Sequence, residues 1–195
     1  MTYAGGATLP VIVYGYCFMS ACRVLASFGD RCGYVTEFDV LMKTREAVLD
    51  DAAEISGFLQ ELVALGKRKL PSDEEFVRSQ YISHADNIRC TLVEDEDGTI
   101  LGLQILKRAS AGNKYDLPVG WGIIGTHVRA SAARRGVGRM LFAVTLEAAK
   151  KAGLEKIDAR IGASNPEALG YYESIGFCSY KTSADVVNKC LDLSA

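Results

Sequence analysis

Apolar residues recur at spacings of three and four between Leu49 and Leu65, where Ile55, Phe58, Leu59, Leu62 and Leu65 form one stripe. That spacing predicts a helix with Asp50 or Asp51 near its start. Pro71, Ser72 and Asp73 open a second helix running to about Ile82. Ile88–Val93 and Ile100–Leu106 then read as strands, with Asp95 to Gly98 (D-E-D-G) as the hairpin turn between them. Ala109–Pro118 is a polar loop, and Val119–Val128 is the next strand. A helix is predicted over Arg135–Ala152, with Val137, Met140, Leu141, Val144 and Ala148 as its apolar stripe and Gly153 closing it. Ile157–Ile161 follows as a strand, Pro166–Ser174 as a helix, and Phe177–Lys181 and Val186–Leu191 as closing strands. With Val40–Arg45 as a short first strand, the order is βααβββαβαββ, an α/β (α+β) domain built on a mixed sheet. No repeat, low-complexity tract or linker interrupts the pattern after residue 42.

The first stretch of chain has a different character. Leu9 to Ser27 is nearly uncharged, broken only by Arg23, yet Pro10 and Gly15 make it a poor membrane span and it lacks a basic leader. Residues 1–39 are therefore read as an extension of unclear role and residues 40–195 as the domain that carries the chemistry. At 195 residues the chain is long enough for one domain with a full core. A net charge of −2 argues against an extended nucleic-acid footprint, so local basic clusters must serve local anions. The 6 cysteines form no C-x-x-C pair, and with only His84 and His127 beside them no zinc framework is expected. Reduced thiols in a cytoplasmic compartment are the simplest reading. No metal, nucleic-acid or membrane partner is expected, and a homodimer is an allowed assembly.

Candidate chemistry centres on Val128–Leu141, V-R-A-S-A-A-R-R-G-V-G-R-M-L, which follows an apolar, Gly-rich run and precedes a helical pattern. Gly136 and Gly138 let the backbone approach a ligand and turn its N–H groups outward. The helix dipole adds about half a positive charge there, and Arg134, Arg135 and Arg139 add full charges beside it. Together these make a seat for a phosphate or pyrophosphate, although a Gly-Arg turn can also do no more than start a helix.

A second signal lies at residues 165–177, N-P-E-A-L-G-Y-Y-E-S-I-G-F. Asn165 precedes a helix and is a natural N-cap, with Pro166 at the first helical position. Tyr171 and Tyr172 could each be core aromatics. Taken together, the two segments resemble those of the GNAT superfamily of N-acetyltransferases, which carries R/Q-x-x-G-x-G/A at a strand–loop–helix junction. Roughly thirty residues later that superfamily has N-x-x-A-x-x-x-Y-x-x-x-G-F. Here the first reads Ala133-Arg134-Arg135-Gly136-Val137-Gly138, and the second supplies Asn165, Ala168, Tyr172, Gly176 and Phe177. The family's leading Arg or Gln is Ala133, which removes a side-chain contact but not the backbone seat. Its frequent Pro two residues after the strand Val is Ala130.

The resemblance implies a mixed, mostly antiparallel twisted sheet of about six to seven strands flanked by about four helices. It implies acetyl-CoA as co-substrate, lying between the parting strands Val119–Val128 and Ile157–Ile161. The pyrophosphate would rest on the N–H groups of residues 134–139, including Val137, and the pantetheine arm on the backbone of Thr126, His127 and Val128. The Val128 N–H would polarise the thioester carbonyl. Tyr172 would protonate the leaving sulfur as general acid, and Asn165 would hold the pantetheine. Tyr171, about 100° around the helix from Tyr172, is given a packing role. A substrate amine, most simply of a small molecule, would attack directly. The alternatives are a protein or aminoacyl-tRNA acceptor, or a non-catalytic acyl-CoA sensor.

The general base is less legible. His127 adjoins the strand end, but alternation puts its side chain opposite Val128, Thr126 and Ile124 unless the strand carries a bulge. The family's common base position is Gly122. A water relay or an amine arriving neutral is the simpler source. The acceptor pocket is expected from residues 57–84 and 109–120, which hold Glu61, Lys67, Arg68, Asp73, Glu74, Glu75, Tyr115, Asp116 and Trp121. The run Asp73–Glu75 could attract a cation, or could simply be the acidic start of a helix.

Overall fold

An ion-pair cluster fixes where the first helix begins. Arg45, on strand β1 (Lys43–Glu46), donates from both terminal nitrogens to Asp51 at 2.7 Å and from Nε to Glu94 at 2.6 Å. Asp51 also accepts the Val48 N–H at 2.7 Å, and the guanidinium holds this carboxyl below its usual range. One 3-10 turn (Leu49–Asp51) then leads into α1 (Ala52–Ala64). These coordinates are a computed structural model that describes residues 42–194. The extension over residues 1–39 and the first residues of the strand expected from Val40 lie outside the described residues.

The second helix, α2 (Glu74–Val77), starts where Asp73 accepts the Phe76 N–H at 2.9 Å, and it widens into a π turn over Arg78–Ile82. Strands β2 (Asn87–Glu94) and β3 (Ile100–Arg108) form the expected hairpin, with Gly98 at φ +84° in its turn. Strand β4 covers Gly122–Val128. Its expected first residues from Val119 belong instead to a turn, because Gly120 at φ +92° and the Trp121 N–H bond to Pro118 O break the extended backbone. Helix α3 spans Val137–Lys151 and starts later than Arg135, because Gly136 at φ +85° and Arg134 at φ +63° are left-handed and cannot lie in an α-helix. β5 (Lys156–Gly162), α4 (Pro166–Ser174), β6 (Cys178–Thr182) and β7 (Val186–Asp192) complete the order.

The sheet runs β1-β2-β3-β4-β5-β7-β6, with β4–β5 parallel and every other pairing antiparallel. Its two faces carry different helices. Ile55, Phe58, Leu59 and Leu62 of α1, with Val77 and Tyr81, bury against Cys90, Leu92, Leu103 and Ile105. Each fully buried aliphatic or aromatic side chain is worth about 1.5–3 kcal/mol. The opposite face packs α3 and α4, with Phe142, Ala149 and Tyr172 against Leu106, Ile124, Ile157, Ala159 and Phe177. The buried stripe of α3 is Val137, Leu141, Phe142, Thr145 and Ala149. The expected Val144 and Ala148 are only half-buried, because the helix presents a line one residue further on to the sheet. Gly102 brings the start of α3 close to the sheet: a Cβ there would stand 2.8 Å from Val137 Cγ1.

Candidate active site

The site begins where two strands part. The parallel β4–β5 pairing covers Gly122↔Ile157, Ile123↔Asp158 and Ile124↔Ala159, and then stops. Beyond that point β4 stays paired with β3 as far as Val128, and β5 with β7 as far as Gly162. The β3–β4 register runs without a shift, so β4 has no bulge against β3. Arg129 N–H donates to Leu101 O at 2.8 Å. Antiparallel alternation therefore turns the His127 N–H toward β3, and the N–H and C=O groups of Thr126 and Val128 toward the gap. An extended ligand entering there meets a ready strand edge.

At the end of β4 the chain makes a 3-10 turn (Ala130–Ala132) and reaches the α3 N-terminus. The left-handed residues Arg134 and Gly136 fold the loop so that, among the described residues, the N–H groups of Gly136, Val137 and Gly138 take no backbone acceptor. Unsatisfied donors and the positive helix end together favour an anion. Arg134, Arg135 and Arg139 are exposed and, among the described residues, form no ion pair. A Cβ on Gly136 meets nothing within 4 Å among the described residues. Gly138 differs. A Cβ there would lie 2.7 Å from Tyr171 Cε2, so its missing side chain admits that ring. The residues present thus fit a pyrophosphate.

Thr126 points to the α3–α4 face, where a buried polar network forms. Its Oγ1 accepts from Gln104 Nε2 at 2.8 Å and bonds the Tyr172 hydroxyl at 2.9 Å. Gln104 Nε2 also reaches Tyr171 Oη at 3.2 Å, and Tyr171 donates to Gly138 O at 2.8 Å. This chain of bonds ties the helix start that seats an anion to the strand edge facing the gap. Tyr172 is 5% exposed. Burial drives its pKa well up, so the phenol holds its proton throughout the neutral range. Burial also pushes Tyr171 up, to about 12. Asn165 caps α4 by accepting the Ala168 N–H at 3.0 Å, which leaves its amide N–H₂ free of that duty. Gln104 is the participant that sequence reasoning missed. A lone amide in the apolar strand I-L-G-L-Q-I-L was its signal.

The other face of β4 carries His127, as alternation requires. Its Nε2 lies 3.1 Å from Arg68 Nη1 and 3.3 Å from the Tyr81 hydroxyl, and its ring stacks on Tyr81 with centroids 6.0 Å apart. Arginine only donates, so Nε2 is the acceptor and the ring proton sits on Nδ1. Burial first, and the Arg68 charge second, lower the His127 pKa to about 3. A ring that weakly basic, with its lone pair already engaged by a guanidinium, is a poor proton acceptor. Most other charged residues of the expected acceptor region have partners: Glu61 pairs with Arg129, Lys67 with Glu167 at 3.1 Å and Glu74 with Arg78 at 2.5 Å. Asp73 is the cap of α2. Tyr115, Asp116 and Trp121 gather apart from these, lining a cavity of about 200 Å³ with Arg160, Tyr180 and Asn188. Among the described residues no group of His, Cys, Asp and Glu could hold a metal ion, and no helix is long and apolar enough to cross a membrane.

A gap between parallel strands, with an anion seat at a following helix and a phenol beside it, is an arrangement that can hold an extended ligand with an anionic end. Residues 58–177 match the profile of the acetyltransferase (GNAT) family, and the chain belongs to that family. It is an N-acetyltransferase by family, and the family uses acetyl-CoA. Among solved structures, a GCN5-related N-acetyltransferase from Kribbella flavida is similar, with TM-score 0.66 and 23% identity over 78% of this chain and 98% of that one. A Salmonella typhimurium protein determined with its cofactor acetyl-CoA aligns with TM-score 0.61 and 16% identity, covering 78% and 94%. A spermidine N-acetyltransferase chimera from Vibrio cholerae and hSSAT gives TM-score 0.60 and 20% identity, covering 78% and 96%. At such identities the likeness speaks for the fold. No curated protein matches the sequence.

Proposed function

We propose that the chain moves the acetyl group of acetyl-CoA onto the primary amine of a small molecule by direct attack, with Tyr172 as general acid. The observation that carries this reading is the β4 edge: Thr126 and Val128 aim their backbone groups into the gap left by β5, between the α3 N-terminus and the Tyr172 hydroxyl. Bound there, acetyl-CoA supplies an activated thioester. The N–H groups of Gly136, Val137 and Gly138, with Arg134, Arg135 and Arg139 around them, hold the pyrophosphate. Thr126 and Val128 present the strand edge to the pantetheine, and the Asn165 amide adds a donor beside it; His127, expected from the sequence to share in this edge, turns its backbone groups to β3 and does not. As the amine nitrogen bonds to the carbonyl carbon, negative charge grows on the carbonyl oxygen, and the Val128 N–H stabilises it.

The carbon–sulfur bond then breaks, and Tyr172 gives its proton to the sulfur. A thiol has an ordinary pKa of about 8.5, against about 10 or above for a phenol. The need for this proton is therefore moderate, and the phenolate is restored by the proton the acylated nitrogen gives up. No carboxylate lies on β4 and the His127 Nε2 is occupied, so the amine arrives neutral or loses its proton to water.

The test is calorimetric titration of acetyl-CoA, then thiol release with a panel of amines, on wild type and Tyr172→Phe. The variant is expected to bind acetyl-CoA as wild type does and to lose about 100-fold in kcat, the lower range for a general acid. Unchanged turnover would remove Tyr172 from the role. Binding without turnover on any amine would move the reading to a macromolecular acceptor or an acyl-CoA sensor.

A further inference from the structure

Arg68 is an anomaly of charge. It sits in the loop between α1 and α2, is 6% exposed, and among the described residues pairs with no carboxylate. Its neighbours are the Pro71 carbonyl at 2.6 Å from Nη2, the His127 ring at 3.1 Å from Nη1, and the faces of Phe76 and Tyr81 at 5.7 and 5.6 Å. Its Nε is buried and, among the described residues, has no hydrogen-bond partner. A buried cation left without a counter-ion is costly, and proteins normally supply one. The remaining donors include the Nε edge of the guanidinium, the fork that matches the two oxygens of a carboxylate.

Its position gives this charge a purpose. His127, which Arg68 touches, stands between Thr126 and Val128, the residues whose amides face the gap. Lys67, one residue before Arg68, pairs with Glu167 on the first turn of α4 at 3.1 Å, so the loop reaches from α1 to the helix capped by Asn165. The α3–α4 face of β4 is filled by Thr126, Tyr171 and Tyr172. On the opposite face Gly125, on His127's side of the strand, carries no side chain, and a Cβ there would only reach ordinary contact with Ile105 Cδ1 at 3.9 Å among the described residues. An acceptor entering that face arrives with the guanidinium of Arg68 beside it and the Val128 edge within reach.

Resting on the acetyltransferase reading above, we infer that the acceptor is an amine that also bears a carboxylate, an amino-acid-like molecule whose carboxylate pairs with Arg68. His127 is then a positioning residue. Its neutral ring accepts one Arg68 N–H and holds the fork toward the acceptor, without adding a second positive charge. A polyamine, with cationic groups alone, would meet like charge at this point.

The experiment uses matched acceptors: the common L-amino acids, each with its carboxamide and its decarboxylated amine, together with spermidine. Thiol release is followed at saturating acetyl-CoA, and the same amino acids are titrated calorimetrically into the CoA-bound protein. The expected result is turnover with one or more amino acids and at least about 10-fold lower kcat/KM for the paired carboxamide and amine, since a charge-assisted hydrogen bond is worth roughly that much. Arg68→Met should raise KM for the amino acid by about 10- to 100-fold and erase the preference over the carboxamide. Its acetyl-CoA affinity should stay unchanged, and its thermal midpoint should be unchanged or higher. Arg68→Lys should lie between the two, retaining charge without the fork. Equal turnover of amino acids and their amines, a preference for spermidine, or a preference that survives Arg68→Met would overturn the inference. Amino-acid heats absent in wild type and in the CoA complex would overturn it as well. Amino-acid binding that depends on Arg68 but brings no thiol release would uphold this site and sink the transfer reading instead.

Discussion

Gly136 and Gly138 look interchangeable in the sequence but serve different physical needs. Gly136 is left-handed, at φ +85°, and a Cβ there meets nothing within 4 Å among the described residues, whereas Gly138 lies in the helix and yields its Cβ volume to the Tyr171 ring. Gly136→Ala is expected to cost about 1 kcal/mol through backbone strain alone. Gly138→Ala should cost about 1–3 kcal/mol by overpacking, because the new Cβ would stand 2.7 Å from Tyr171 Cε2. Urea denaturation of both variants checks the difference, and Gly138→Ala combined with Tyr171→Leu should recover most of the second loss. The same scale governs the response to acid. Unfolded, His127 titrates near the ordinary imidazole value of about 6.5; folded, it is held down to about 3. Between these values the unfolded chain binds the extra proton, so this contribution to stability is whole above about pH 6.5 and is lost as the pH falls toward 3. His127→Gln keeps an acceptor for Arg68 and cannot titrate. Its unfolding free energy is expected to fall less steeply than that of wild type between pH 7 and pH 5, and parallel slopes would place the acid sensitivity elsewhere.

Elements were legible where a local rule fixes them and slipped where two left-handed residues intervene. Pro166–Ser174 is bounded by Asn165 and Gly176 in sequence and in structure, because capping and the αL stop are properties of single residues. The α3 start slipped from Arg135 to Val137, since nothing in A-R-R-G announces that Arg134 will adopt φ +63°. The buried stripe of α3 was shifted as well, because Val144 and Ala148 are as apolar as the Phe142 and Ala149 actually buried. The positions tied to spacing, the Asn165 cap and the buried Tyr172 on α4, were readable, whereas the contacts of Gln104 and Arg68 run across 22 and 59 residues of chain, to Thr126 and His127. The α4 cap gives this scale its own test. Asn165→Asp keeps the cap oxygen and removes the amide donor, so stability should hold while acetyl-CoA affinity drops about five- to tenfold, the worth of one hydrogen bond. Asn165→Ala should lose both, with about 1 kcal/mol of stability. If Asn165→Asp binds acetyl-CoA as wild type does, the residue is a cap and nothing more.

Across the whole molecule, the sheet is joined at its centre by a short seam. The β4–β5 ladder has 3 register pairs, whereas β3–β4 has 7 and β5–β7 has 7. The β1–β4 side carries α1 and α2 on one face and most of the α3 contacts on the other, while α4 packs on the β5 side. Beyond the seam the polar contacts that cross are the Thr126–Tyr172, Gln104–Tyr171 and Tyr171–Gly138 bonds and the exposed Lys67–Glu167 pair, beside apolar packing such as Phe142 on Phe177. A ligand that binds the β4 edge, the α3 start and Asn165 would add cross-links at this weak point. By mass action acetyl-CoA should stabilise the folded chain by about 2.7 kcal/mol at a concentration one hundred times its Kd, wherever it binds. The distribution of that effect is more telling than its size. Among the described residues the N–H groups of Thr126, Val128, Gly136, Val137 and Gly138 have no backbone acceptor, so their hydrogen exchange should slow on adding acetyl-CoA by more than that of the already bonded β2–β3 hairpin. Protection at Gly136–Gly138 without protection at Thr126 and Val128 would mean that the cofactor's anionic end is seated but the strand edge is unused. Uniform slowing of all slow amides, with no extra effect at these five, would show global stabilisation from a site elsewhere and would refute the placement of acetyl-CoA in the β4–β5 gap.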